Sequence, residues 1–353
     1  MIQVSVNSRS PVSKPENRER EKRKMKKVVC LYGTPSPLYN ELNKEAKEYA
    51  LKRNLEYIWV PQMPFTTESA VAALKEADAG IIDVEPYDKR IFSQVRENIK
   101  ILVRYGVGFD AVNLQDASEC GIAVARTTAA NAQSVAEMAL AMIMGAKRQF
   151  GINRSCIESG KWVRNIGAEM MGKSVGILGF GAVGRRLARL FSGFDAKILV
   201  YDPYLNEEAA AEANVHKVDL DTLFTQSDAI SIHMPYNKET HHLVNADRLS
   251  QMKETAVIVC TARGGIVDED ALYEVLKEHK ILGAGLDVFA QEPLPATSAL
   301  IGLDNIILTP HVAAQTRDSL WNIYKRAIDI TADFLEGKSI SKDLLNPDYK
   351  LSR

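Results

Sequence analysis

No stretch of this 353-residue chain is apolar for the roughly 18 residues that a bilayer-spanning helix needs. The N-terminus also lacks the apolar core of a secretory signal. Excess charge of one sign is missing: 44 Lys plus Arg face 45 Asp plus Glu, so the electrostatic footprint of a nucleic-acid or anionic-membrane binder is absent. Cysteine is scarce and scattered. Cys30, Cys120, Cys156 and Cys260 form no Cys-x-x-Cys pair and have no histidine at zinc spacing, which argues against a metal site. They read as reduced, mostly packed thiols of a cytoplasmic protein. Repeats of solenoid period and low-complexity tracts are lacking beyond the N-terminal tail.

The length suggests two domains at about 150 residues each, and two lobes imply a cleft. Residues 1–26 read as a solvated tail, because Arg18, Glu19, Arg20, Glu21, Lys22, Arg23 and Lys24 follow one another without a break. Met25, directly before an apolar run, would serve as a natural start. Beyond it, short β-branched runs at 28–32, 57–60, 80–84, 101–103 and 122–125 alternate with helical stretches, which predicts parallel strands joined by crossover helices. Residues 131–148 predict a long buried helix that crosses between lobes. Trp162, alone of the three Trp near a motif, is read as core packing. A second strand series follows at 174–178, 197–201, 228–233, 256–260, 283–288 and 305–308, so the fold class is α/β with two consecutive parallel sheets. The amphipathic stretch 316–335 comes last and is expected to return to the first lobe.

The run 174–178 leads into Gly179, Gly181 and Gly184, then into a helical segment: strand, G-x-G-x-x-G, helix. The first glycine permits the tight turn, the second lets a pyrophosphate approach the backbone and the third lets helix lie on strand. Free N–H groups at the helix start hold phosphates. Asp202, 18 residues past Gly184 and at the end of the next strand, sits near the expected spacing of about 20 for a carboxylate that binds ribose hydroxyls. Pro203 and Tyr204 follow it rather than Arg, which favours NAD over NADP.

Redox of a 2-hydroxy acid needs a cation for the carboxylate, a proton carrier and a partner that tunes the carrier. Arg263, Glu292 and His311 each follow a separate strand of the second series, at the sheet edge where open α/β proteins bind ligands. A guanidinium can address a carboxylate bidentately. His311 would exchange the hydroxyl proton, and a carboxylate at Glu292 would favour its imidazolium form.

The segments GILGFGAVG, SIHMPYNKET, TARGGIVDEDAL, GLDVFAQEP and TPHVAAQT resemble, in order, the signature blocks of the D-isomer-specific 2-hydroxyacid dehydrogenases. The likeness runs from about Lys27 to Asp343 and points to the phosphoglycerate dehydrogenase-like branch. It implies two Rossmann- or flavodoxin-like lobes with an active-site cleft between them. The substrate lobe would comprise 27–127 plus 314–353 and the NAD-binding lobe 128–313, usually in a homodimer. It implies catalytic roles for Arg263, Glu292 and His311. Cofactor contacts are implied at Ala182, Val183, His233, Pro235, Thr240, Thr261, Ala262, Arg263, Asp287 and His311, with Asp287 near the nicotinamide carboxamide. Substrate contacts are implied at Tyr105, Gly106, Val107 and Gly108 in RYGVGFDAVN, where backbone N–H groups form an anion nest, and at Arg263.

The chain departs from phosphoglycerate-specific members at Asp83 and Glu85, where those tend to carry Arg. Carboxylates there would repel a phosphorylated acid. Ala111, Asn113 and Cys260 also differ from common family residues. The stretch after His311 is too short for a further domain of ordinary size. Expected substrates are therefore glyoxylate, hydroxypyruvate, pyruvate or a branched 2-keto acid. D-3-phosphoglycerate is the alternative, and an NAD(H)-sensing dimeric scaffold is the reading from another class.

Overall fold

The computed structural model describes residues 25–349 and contains two parallel β-sheets. The first five strands are β1 (Lys26–Cys30), β2 (Leu55–Trp59), β3 (Ala79–Ile82), β4 (Ile101–Arg104) and β5 (Ala123–Arg126), in the order β2-β1-β3-β4-β5. Nearly every side chain of β3 to β5 is buried, as expected of strands covered by helices on both faces. The charge run lies outside the described residues, except that Lys26 is a strand residue rather than tail. It pairs with Leu55, and its ammonium meets Asp78 at 2.7 Å.

The second sheet holds β6 (Ser174–Leu178), β7 (Lys197–Tyr201), β8 (His216–Lys217), β9 (Ala229–Ile232), β10 (Val257–Cys260), β11 (Gly283–Leu286) and β12 (Ile306–Leu308). Its order, β12-β11-β10-β9-β6-β7-β8, reverses direction between β6 and β9, while the first sheet reverses between β1 and β3. Such switch points open a crevice at the carboxyl ends of the strands. β8 is two exposed residues long and carries no hydrophobic pattern from which it could be foreseen.

Two chain crossings join the lobes. After β5, Ala129 takes a left-handed turn (φ 62°) and the helix Ala132–Lys147 begins. Its Ala136, Ala139, Met142 and Ile143 are buried in one core cluster with Val175, Leu187 and Val259 of the second lobe. The helix Arg317–Leu335, capped by the Thr316 hydroxyl, makes the return crossing. Its Ile323, Tyr324, Ala327 and Ile328 bury themselves with Leu42, Ala46 and Val103 of the first lobe. Ser134 and Thr316 hydroxyls meet at 2.8 Å where the two crossings pass. The chain after this helix then covers the open edge of β5, where Val124 N–H donates to Asn346 Oδ1 at 2.7 Å.

Trp162 does not pack in the core. It is 83% exposed on a segment that, with Ile166 at 90% and the helix Phe150–Glu158, buries almost nothing. A large aromatic beside a motif is ordinarily core, and only the neighbouring exposed Val163 and Ile166 mark this arm as different.

Candidate active site

The turn after β6 is built on a close helix-to-strand approach, since a methyl on Gly184 would overlap the Gly179 carbonyl oxygen. The helix Ala182–Phe191 that follows has no side chain capping its first turn, whereas Asp, Asn, Ser or Thr caps most other helices of the chain. Its leading N–H groups, Ala182 and Val183 included, stay free for an anion. A Cβ on Gly181 would meet no atom within 4 Å, so the space before the loop is open. Asp202 directly follows β7 with its carboxylate against this loop, accepting from Phe180 N–H and Tyr204 N–H at 2.8 Å each.

At the ends of β9 and β10 the site continues. His233 Nε2 lies 2.9 Å from Ser231 Oγ, and loss of hydration around its partly exposed ring pushes it down to about 3, keeping it neutral. Thr240 is buried and braces its own turn, donating to the Pro235 carbonyl at 2.8 Å. Thr261 Oγ1, beside Ala262 and Arg263, is buried with no hydrogen-bond partner among the described residues. An orphaned hydroxyl at a strand end, an open glycine cradle and an uncapped helix start fit a dinucleotide lying across the carboxyl edge of this sheet.

Three strand ends then converge on the cleft. His311 Nδ1 lies 2.8 Å from Glu292 Oε2, and Glu292 Oε1 accepts from Phe289 N–H at 3.0 Å. His311 itself is held in a left-handed conformation (φ 55°), unusual for a residue with a side chain. Asp287 imposes it. Fully buried, its carboxylate accepts from the Thr309 hydroxyl and from Val312 and Ala313 N–H at 2.8 and 2.9 Å, while its carbonyl accepts from His311 N–H at 2.8 Å. Asp287 is thus the brace of the His311 turn, with both oxygens engaged.

Arg263 and His311 line a cavity of about 470 Å³ together with Tyr105, Gly106, Val107 and Gly108 of the first lobe. Arg263 donates to the Ala262 carbonyl at 2.7 Å, and its Nε approaches Asp110 across the cleft at 3.6 Å. Tyr105 contributes packing rather than its hydroxyl, which donates to the Leu320 carbonyl at 2.7 Å while its ring stacks on Tyr32 at 3.5 Å. Sequence reasoning gave no role to Asp110, Thr309 or Arg104. Arg104 left a signal, a charge closing an otherwise apolar strand. Thr309 and Asp110 left none, because only tertiary proximity sets their partners.

Residues 140–313 match the family model "D-isomer specific 2-hydroxyacid dehydrogenase, NAD binding domain". The chain is 36% identical to hydroxypyruvate reductase of Thermotoga maritima over 79% of this chain and 90% of the relative. It is 35% identical to D-3-phosphoglycerate dehydrogenase of Archaeoglobus fulgidus over 80% of this chain, but spans only 54% of that relative. Among solved structures it is similar to D-lactate dehydrogenase with NAD+ from Lactobacillus jensenii, with TM-score 0.79, 26% identity and coverage of 93% and 100%. A glycine loop, an uncapped helix and three converging strand ends thus accompany a sequence match along most of the chain, which belongs to the D-isomer-specific 2-hydroxyacid dehydrogenase family.

Proposed function

We propose that the protein is an NAD-dependent reductase of small, unphosphorylated 2-keto acids, working reversibly on the D-2-hydroxy acid. The observation that carries this reading is the His311–Glu292 pair, 2.8 Å apart, opening on the cavity that Arg263 also lines. Gly179, Gly181, Ala182, Val183 and Gly184 would hold the cofactor phosphates, with Asp202 at the ribose and Thr261 and Ala262 toward the ring. When bound, NADH supplies the two electrons and one hydrogen that, with a proton, turn a 2-keto acid into a 2-hydroxy acid.

The chain's own residues do the rest. The N–H groups of Val107 and Gly108 and the Arg263 guanidinium bind the substrate carboxylate. Glu292 takes the His311 Nδ1 side, leaving Nε2 to give its proton to the carbonyl oxygen, or to take it back in the reverse direction. Glu292 also fixes the ring orientation. Asp83 lines the same cavity and disfavours a phosphorylated substrate by repulsion. A cofactor-sensing scaffold would have no use for a proton carrier set on a carboxylate. The experiment follows NADH absorbance with glyoxylate, hydroxypyruvate, pyruvate, 2-ketoisocaproate and phosphohydroxypyruvate, each repeated with NADPH. Oxidation of NADH by an unphosphorylated acid supports the reading, and silence across the panel despite NADH binding refutes it.

The exposed arm carrying Phe150, Ile157, Trp162 and Ile166 supports a homodimer, since several large apolar side chains this exposed on one segment mark an interaction surface. Replacement of Trp162 and Ile166 by Glu should then halve the mass seen by light scattering.

A further inference from the structure

A cavity of about 790 Å³ lies apart from the substrate cleft and takes no part in the proposed reaction. Arg185, Arg186 and Arg189 line it from one face of the helix Ala182–Phe191, and Ala129 and Gln133 close it from the first chain crossing. A second hollow of about 300 Å³ adjoins it, since Ala129 and Arg186 line both. There the helix of the return crossing adds Lys325 and Arg326. The two hollows form one basic groove that spans both crossings.

Its cations are not neutralised. Among the described residues Arg185, Arg186, Arg189 and Lys325 form no ion pair. Arg186 Nη1 donates to the neutral Gln133 Oε1 at 3.0 Å, and Lys325 rests over the Tyr49 ring. Neighbouring acids are engaged elsewhere: Glu137 with Gln133 at 2.7 Å, Asp329 with Arg53 and Tyr49, and Asp343 with Arg326. Arg185 stands in the first helical turn, where the helix dipole disfavours a cation, and Arg189 adds a like charge four residues on. An anion in the groove offsets both effects.

The groove also defines that anion. One carboxylate meets one guanidinium fork, whereas three guanidinium groups and an ammonium contributed by two lobes call for several charges on one molecule, which phosphate groups supply. The cavity has the size of a small-molecule site. A net charge of −1 gives the chain no wider field for nucleic acid. Nor does the exposed arm of a second copy supply the charge, because there Arg154, Lys161 and Arg164 outnumber Glu158 and Glu169.

We propose that Arg185, Arg186, Arg189 and Lys325 form a binding site for a small anion with two or more phosphate charges, separate from the loop assigned to the cofactor phosphates. Ala182 borders both the groove and that loop. The two sets of phosphates therefore repel across it, and each ligand weakens the other to the same degree.

Inorganic triphosphate is the probe, titrated calorimetrically into the protein at constant ionic strength so that screening is fixed. One saturable site per chain is expected. Arg185→Gln/Arg189→Gln should weaken it about 10- to 100-fold and Lys325→Gln about 3- to 10-fold. Saturating NADH should weaken it about 3- to 10-fold without abolishing it. Both arginines are exposed, so the double variant should melt no lower than wild type, which separates lost binding from lost folding. ATP run alongside distinguishes the source: affinity equal to triphosphate supports a nucleotide ligand, and weaker affinity supports an inorganic polyphosphate. The proposal is overturned by no saturable binding below about 10 mM, by binding unchanged in the double variant, or by binding abolished with NADH, which would place triphosphate in the cofactor loop. Equal affinity for citrate, or tighter binding of a single-stranded oligonucleotide, overturns it as well.

Discussion

Gly108 of the first lobe lies so close to Arg263 of the second that a methyl group on its Cα would overlap the guanidinium. The two lobes therefore meet where the substrate carboxylate would be held, and the absence of a side chain there is a condition of the site. Gly108→Ala should push Arg263 aside and raise KM for the keto acid about 10-fold or more, as expected when one member of a positioned anion clamp moves. NADH affinity, measured by fluorescence titration, should stay near wild type because the glycine loop lies elsewhere. An unchanged KM would mean that Arg263 does not need this position.

Asp287 is the second structural lever. Its buried carboxylate satisfies three donors around the turn that carries His311. Asp287→Asn replaces one acceptor oxygen by a donor, so it should cost about 2–3 kcal/mol of stability by loss of charge-assisted hydrogen bonds. It should also lower kcat, since His311 would leave its left-handed conformation. Thermal melting and steady-state rates on the same preparation check both parts.

His233 should make the fold acid-sensitive. In the unfolded chain its imidazole takes a proton as pH falls through 6.5, whereas in the folded chain it does so only near 3. Stability from this group is present above pH 6.5 and is lost as pH falls from 6.5 toward 3, at up to roughly 1 kcal/mol per pH unit. Asp83 acts in the opposite sense. Burial pushes its carboxyl from 3.8 up to about 6, so the folded state takes the proton first and gains stability as pH falls from about 6 to 3.8. His233→Gln should therefore flatten the decline of melting temperature between pH 7 and 5. An identical decline in the variant would contradict the neutral, desolvated histidine.

Much of this was legible in the residues themselves. Every strand of both sheets except β8 falls on a short, mostly apolar run, because parallel strands covered on both faces are buried along most of their length. The glycine loop and the Arg263, Glu292 and His311 positions were legible for a related reason: each follows such a run, where the sheet edge ends and ligands bind. What the residues could not disclose depends on contacts between distant segments. The resemblance implies Asp287 near the nicotinamide carboxamide, and the residues alone give no hint that its oxygens also accept from Thr309, Val312 and Ala313. The resemblance implies Tyr105 as a substrate contact, and the residues alone do not show that its hydroxyl donates to Leu320 of the returning helix. Trp162 reads as core, yet it lies exposed with Val163 and Ile166 on an arm that buries little among the described residues.

The most direct test of the central claim compares wild type with His311→Asn for NADH-dependent reduction of a 2-keto acid that wild type turns over. Asn cannot carry the proton, so kcat should fall by about 10²- to 10⁴-fold, with NADH affinity and melting temperature nearly unchanged. Turnover by His311→Asn equal to wild type would contradict the assignment of His311 as the proton carrier.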